Sequence, residues 1–193
     1  MKRIFLILAM ATCCFTGAKA QTAAGSLVTP ADSFNAMLSG TENQMMMLVK
    51  AMPAEKYSFA PSPAIFVVSQ KTEYAGVRTF AALVIHVAEA NYGMGARLSG
   101  MKPDIDMASL TGLRDKVQVV AALAASFAFV HKAIGTMTME NAFQSVRGTT
   151  TRATLAAGNV VHTADEYGQM VEYLRMSGVT PPLSGPPTPS KAN

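Results

Sequence analysis

The segment from Val77 to Leu98 constrains the fold more than any other part of this sequence. It has the length of a helix and is apolar almost all round, with Glu89 as its main charged exception. A helix without a polar face has to be buried on several sides, so other helices must enclose it. The segment therefore predicts a protein in which an apolar helix is surrounded by partner helices.

Three further segments have helix length, and each of the four is followed by a glycine or a proline that ends it. The predicted helices span residues 30–52, 77–98, 113–134 and 151–176. The connection over 53–75 contains several prolines and is long enough to join helices that are not neighbours. No segment shows the alternation typical of a strand. We predict an all-α four-helix bundle over residues 30–180, preceded by a linker over 21–29 and followed by a flexible proline-rich tail over 181–193.

The first 20 residues are typical of a secretory signal peptide. Lys2 and Arg3 precede an apolar run from Ile4 to Phe15, and Ala18-Lys19-Ala20 has the small-x-small pattern of a cleavage site. We predict cleavage after Ala20 and export to the periplasm or the medium. A membrane anchor is an alternative, but the run is too short to span a bilayer. A lipoprotein is another, although Thr12 fits poorly before a lipid-bearing cysteine.

Composition excludes several classes of function. The sequence has 16 basic and 12 acidic residues, and removal of the three basic residues of the first 20 leaves 13 basic against 12 acidic. A nearly neutral chain without a basic cluster lacks the electrostatic footprint of a protein that binds nucleic acid or an anionic membrane. Both cysteines, Cys13 and Cys14, lie in the signal region. The mature chain would therefore have no disulfide, no thiolate nucleophile and no cysteine-based metal site.

The fourth predicted helix carries a histidine and a carboxylate one turn apart, His162 and Glu166. On a helical wheel they lie with Asn159 and Tyr173, away from the charged arc. The neighbouring arc is apolar and is expected in the core; it comprises Val160, Ala164, Tyr167, Val171 and Leu174. If the arc of His162 is buried too, its carboxylate requires a partner, because a buried unpaired charge is costly.

His86 lies in the apolar second helix. Side-by-side packing of the second and fourth helices would bring His86, His162 and Glu166 to one divalent cation. Two imidazoles and one carboxylate suit Zn²⁺, Fe²⁺, Mn²⁺ or Ni²⁺ and leave positions for water or substrate. The alternative is a hydrogen bond between His162 and Glu166 at the edge of the bundle, with His86 as a core histidine. From the spacing alone the hydrogen-bond alternative is favoured, because a histidine and a glutamate four residues apart are common by chance.

Other polar side chains receive supporting roles. Glu89, one turn after His86, is predicted either to hold the ring of that histidine or to be a surface carboxylate. His131 is expected at the edge of the third helix. The candidates for contacts to the metal ligands or to a substrate are Asn159, Tyr57, Tyr92 and Tyr173. The sequence has no glycine-rich phosphate loop and no nucleophilic serine motif.

Three segments together resemble the DinB-like superfamily: Met52–Pro61, Val77–Tyr92 and His162–Pro182. The resemblance implies an up-down-down-up four-helix bundle with a long crossover, often assembled as a dimer, and it does not imply DNA binding. It also implies a metal site made of one histidine on helix two and an HxxxH pair on helix four. His86 and His162 match that pattern. Glu166 stands where family members commonly have the second histidine of the pair.

The resemblance implies metal-dependent chemistry on a small molecule. Characterised relatives include metal-dependent thiol transferases and a thiol-dependent isomerase, in which a metal would lower the pKa of a bound thiol or water. Two hypotheses follow for this chain. The first is an exported metal-dependent hydrolase or transferase with a divalent metal as cofactor. The second is a non-catalytic bundle that binds a small molecule and has a degenerate metal site, in which Glu166 marks the loss of the metal.

Overall fold

The structure is a computed structural model that describes residues 24–65 and 73–185. Within these ranges four long helices form the molecule, together with one short hairpin. The helices are α1 (Pro30–Ala51), α2 (Phe80–Ser99), α3 (Lys116–Ile134) and α4 (Arg152–Met176). The hairpin pairs β1 (Ser145–Arg147) with β2 (Thr150–Thr151). The prediction of an all-α four-helix bundle is confirmed, whereas the predicted signal peptide and its cleavage site lie outside the described residues.

Each of the four α-helices begins at a residue whose side chain accepts a hydrogen bond from a backbone N–H of the first turn. Such a cap satisfies one of the amides that have no partner within the helix. Thr79 and Asp115 have extended backbones, so α2 and α3 begin three residues later than predicted. The four caps are Thr29, Thr79, Asp115 and Thr151. The capping side chain, rather than the first apolar residue, decides where each helix starts.

Contacts near the helix ends define the direction of the antiparallel pairs. His131, near the end of α3, contacts Asn35, near the start of α1. Tyr173, near the end of α4, donates a hydrogen bond to the carbonyl of Arg78, just before α2. Therefore α3 runs antiparallel to α1, and α4 runs antiparallel to α2.

The helices α2 and α3 run in the same direction and approach closely. A Cβ atom added to Gly95 would lie 3.0 Å from Cε1 of Phe129 and 3.4 Å from Cβ of Ala133, so the glycine allows the close approach. Parallel neighbours require a connection that runs the length of the bundle, and residues 100–115 provide it. The directions of the four helices are thus up, down, down and up, as the family resemblance implies.

The connection between α1 and α2 stays at one end of the bundle where it is described. The Tyr57 hydroxyl donates a hydrogen bond to the carbonyl of Val49, at 2.6 Å. The N–H of Phe80 donates to the carbonyl of Phe59, so the same segment fixes the start of α2. Both α1 and α2 pack against α3 and α4. The helices α1 and α2 therefore lie at diagonal corners of the bundle, and the proline-containing segment connects them.

The core has a polar line inside it. The apolar side chains of α2 are mostly buried, which confirms that this helix is enclosed. Among them, and on α3 and α4, five polar side chains are also buried: Asn91, Ser126, Asn159, Thr163 and Glu166. Ala164, expected in the core, is exposed, because the buried face of α4 is centred closer to these polar positions. The face that carries the candidate ligands is therefore part of the interior.

Candidate metal centre

The antiparallel pair α2 and α4 brings His86, His162 and Glu166 together. The Nε2 atoms of the two histidines are 3.3 Å apart. The Oε1 atom of Glu166 lies 3.5 Å from Nε2 of His86 and 3.6 Å from Nε2 of His162. Metal–ligand bonds of about 2.1 Å place neighbouring ligands of a tetrahedral ion about 3.4 Å apart. The three atoms therefore fit the ligand set of one divalent cation.

The same distances disfavour a direct contact between the carboxylate and the imidazoles. A charge-assisted N–H···O bond is normally about 2.7–2.9 Å long. Both distances from Glu166 to the histidines exceed this range by more than half an ångström. The alternative predicted from the sequence, a hydrogen bond between His162 and Glu166, is therefore absent from the structure.

Burial differs sharply among the three side chains. Glu166 is 8% exposed, whereas His86 and His162 are 31% and 23% exposed. The triad thus has a deep carboxylate and a solvent-facing pair of imidazoles. The Oε2 atom of Glu166 is buried and has no hydrogen-bond partner among the described residues. A buried carboxylate in this state favours a cation beside it.

The electrostatics of His162 favour a neutral ring. Burial lowers the pKa of His162, and the charge of Glu166 opposes this effect by raising it. The nearby His86 lowers the pKa further. A metal binds the unprotonated nitrogen, so a lowered pKa leaves this ligand available at neutral pH.

Two residues predicted to support the site have other surroundings. Glu89 is exposed and makes no hydrogen bond or ion pair with His86 in the part of the chain that the structure describes, so it is the surface carboxylate of the alternative prediction. Asn159 is buried, and its Nδ2 donates to Oδ1 of Asn91 at 2.8 Å. Asn91 in turn donates to the Ser126 hydroxyl at 3.0 Å, which links α4, α2 and α3.

The three tyrosines predicted as polar contacts to a substrate are packed into the protein instead. Tyr57 is buried and uses its hydroxyl on Val49. Tyr92 is buried between α2 and α3, with its ring centroid 5.1 Å from that of Phe129. Tyr173 is buried, and burial and the charge of Glu166 raise its pKa. These side chains stabilise the bundle around the site, because their rings fill the interior between helices.

His131 is not part of the triad, in agreement with the edge position predicted for it. Its Nδ1 lies 2.7 Å from Oδ1 of Asn35, and its Nε2 lies 2.8 Å from Oε2 of Glu42. Both ring nitrogens are thus engaged by α1. Thr163, the residue after His162, is completely buried and was not predicted from the sequence to lie near the site. Its position on the helical wheel of α4, beside the apolar arc, could have indicated that Thr163 is buried.

The sequence matches the family model described as the DinB superfamily over residues 37–170. The chain belongs to the DinB superfamily. The match covers most of the four helices and includes all three candidate ligands. Members of the DinB superfamily bind metal ions, which agrees with the grouping of His86, His162 and Glu166. Among curated proteins, no significant match to this chain is found.

Proposed function

We propose that this DinB-superfamily protein binds a divalent metal ion through His86, His162 and Glu166 and acts as a hydrolase or group transferase on a small molecule. The observation that carries the proposal is the spacing of the three ligand atoms, 3.3, 3.5 and 3.6 Å, around a buried carboxylate. Zn²⁺, Ni²⁺, Mn²⁺ and Fe²⁺ all accept two imidazoles and one carboxylate. A fixed triad with one partly exposed side is typical of a catalytic rather than a structural metal site.

Each residue of the triad has a separate part in this proposal. His86 and His162 would supply neutral nitrogen ligands, and Glu166 would supply the negative charge that holds the cation in the interior. When bound, the metal would lower the pKa of a coordinated water or thiol, which makes a nucleophile near neutral pH. The exposed edges of both histidines leave this side open to a small molecule.

The second candidate function is a non-catalytic bundle that binds a small molecule and has a degenerate metal site. The glutamate at position 166 favours it, because the family pattern commonly has a histidine there. The two functions differ in metal content. The enzyme requires about one equivalent of metal in the purified protein, and the degenerate site holds none.

Elemental analysis of the purified mature protein after mild dialysis tests the proposal. We expect close to one equivalent of a transition metal, and a melting temperature that rises when Zn²⁺, Mn²⁺ or Ni²⁺ is returned to the metal-free protein. His131→Ala is the matched control, because it removes a histidine whose two ring nitrogens bind Asn35 and Glu42 of α1. If the wild type holds no metal and no cation raises its melting temperature, whereas Glu166→His gains both, the degenerate site is the correct description.

The cellular location and assembly state are part of the same proposal. Export after cleavage at Ala20 is supported by the signal-like first 20 residues, and the secreted form should then begin at Gln21. Assembly as a homodimer is supported by an apolar groove between α1 and α3. Its lining includes Met46, Val117, Val120, Ala121 and Ala124. N-terminal sequencing and light scattering test the two points separately, and a monomer that retains its first 20 residues would refute both.

A further inference from the structure

The buried polar atoms that lack a protein partner are concentrated beside the candidate metal centre. Among the described residues there are five such side-chain atoms, and four lie on the stretch of α4 from Asn159 to Glu166. They are Oδ1 of Asn159, Nδ1 of His162, Oγ1 of Thr163 and Oε2 of Glu166. Buried polar groups in proteins almost always have a hydrogen-bond partner. Four such atoms within about two helical turns point to a bound partner in this part of the interior.

Thr163 is the most informative member of this group. Its side chain is completely buried, with 0% exposure. A threonine within a helix commonly donates its hydroxyl hydrogen to the carbonyl four residues earlier. The hydroxyl of Thr163 makes no such bond. It therefore remains available to a partner in the interior of the bundle.

Asn159, one helical turn before Thr163, has its side-chain amide held in one orientation. Its Nδ2 is committed to Oδ1 of Asn91, at 2.8 Å. This bond orients the amide, so Oδ1 is the atom left as an acceptor. Residues four apart on a helix have their side chains on the same face, so Asn159 and Thr163 line the same part of the interior.

The donor and acceptor types of these four atoms favour water as their partner. Asn159 and Glu166 each offer an acceptor oxygen, and the Thr163 hydroxyl offers a donor. When its Nε2 binds metal, His162 carries the hydrogen on Nδ1 and becomes a second donor. Water donates two hydrogen bonds and accepts two, and buried waters typically make about three. A cation suits this group less well than water, because the Nδ1–H that His162 carries when its Nε2 binds metal can only donate.

We propose that ordered water, one molecule or a connected pair, occupies the bundle interior and joins Thr163 and Asn159 to Nδ1 of His162 and Oε2 of Glu166, the atoms of these two residues that lie outside the triangle of ligand atoms. This inference rests on the proposed metal site. Thr163 and Asn159 are then positioning residues: they touch no metal, but they fix the ring and the carboxylate that do. The polar chain from Asn159 to Asn91 extends this support to the neighbouring helices.

The test is Thr163→Val, which replaces the hydroxyl by a methyl group of similar size. If water is bound, the variant should lower the melting temperature of the metal-free protein and weaken metal affinity by about 10–100-fold, the usual effect of a residue that orients a ligand. Thr163→Ser, which keeps the hydroxyl, should retain most of both. If the hydroxyl had no partner at all, Thr163→Val would instead raise the melting temperature. The substitution would then remove a buried polar group that makes no hydrogen bond.

A higher melting temperature for Thr163→Val would therefore overturn the water site. A lower melting temperature for Thr163→Val with unchanged metal affinity would show that the water does not support His162 and Glu166. The metal-free melts do not depend on metal binding, so failure of the metal proposal is recognised separately, by a wild type that holds no metal. Ser177→Ala is the control, since Ser177 has the remaining unpartnered atom and lies beyond the end of α4. It should leave metal affinity unchanged.

Discussion

The Nε2 atoms of His86 and His162 lie 3.3 Å apart, although 76 positions separate the two residues in the chain. A pair of imidazoles in direct contact can share only one hydrogen, so the contact alone gives one hydrogen bond between neutral rings. The carboxylate of Glu166 is almost equidistant from both nitrogens. The two Nε2 atoms and the Oε1 atom therefore form a nearly regular triangle.

His162→Ala should abolish stoichiometric metal binding, because it leaves only His86 and Glu166 to hold the ion. The measurement is metal content after mild dialysis, together with the shift in melting temperature on addition of Zn²⁺. His131→Ala should keep full metal content, although the loss of its contacts to Asn35 and Glu42 should cost about 1–3 kcal/mol of folding stability. Equal metal content in the two variants would contradict the assignment.

Glu166→His should keep or strengthen metal binding, and Glu166→Gln should weaken it. The histidine restores the commoner ligand of the family, whereas the amide keeps the size of the side chain and removes its charge. Competition with a coloured chelator measures both affinities. Tighter binding by Glu166→Gln than by the wild type would show that the carboxylate does not ligate the ion.

The stability of the metal-free protein should decrease as the pH falls below about 6.5, the usual pKa of histidine in an unfolded chain. Burial lowers the pKa of His162 in the folded state, so the unfolded chain binds a proton first. The contribution is therefore fully present above the unfolded value and is lost as the pH falls through the folded one. Urea unfolding at several pH values measures this slope, and His162→Gln should flatten it. An unchanged slope in that variant would assign the effect to another group.

Gly95→Ala should destabilise the fold, and Gly93→Ala should stabilise it. The new methyl group at position 95 would meet the ring of Phe129 at 3.0 Å, and such overpacking typically costs about 1–3 kcal/mol. At position 93, on the same helix, a Cβ meets nothing within 4 Å, so alanine should add about 0.5–1 kcal/mol through helix propensity. Urea denaturation of both variants makes the comparison, and similar changes in both would refute the close approach of α2 and α3.

Periodicity predicted the helices and the face of α4 that carries the ligands, because a long helix repeats its signal over many turns. The hairpin at β1 and β2 was missed, since strands of two or three residues carry too little alternation to detect. Glu89 shows a different limit. A helical wheel gives the direction of a side chain but not the helix that lies opposite, and Glu89 points into solvent.

The polar interior was harder to predict than the ligands. The His162 and Glu166 pair has a recognisable spacing, His86 was predicted as the third member from its place in the apolar second helix, and the family resemblance supported that choice. Asn91 and Ser126 stand among mostly apolar neighbours, and their roles depend on contacts that join three different helices. Such contacts are set by the packing of the bundle, which no single segment encodes.

The candidate ligands come from α2 and α4 alone, while His131 ties α3 to α1. A bound ion would therefore restrain α2 and α4 directly. The pair α1 and α3 would still be held by the contacts of His131. Backbone amides of α2 and α4 should exchange with deuterium more slowly when metal is added, whereas those of α1 should keep their rates. Loss of the ion would then loosen the packing between α2 and α4 and leave the rest of the bundle unchanged.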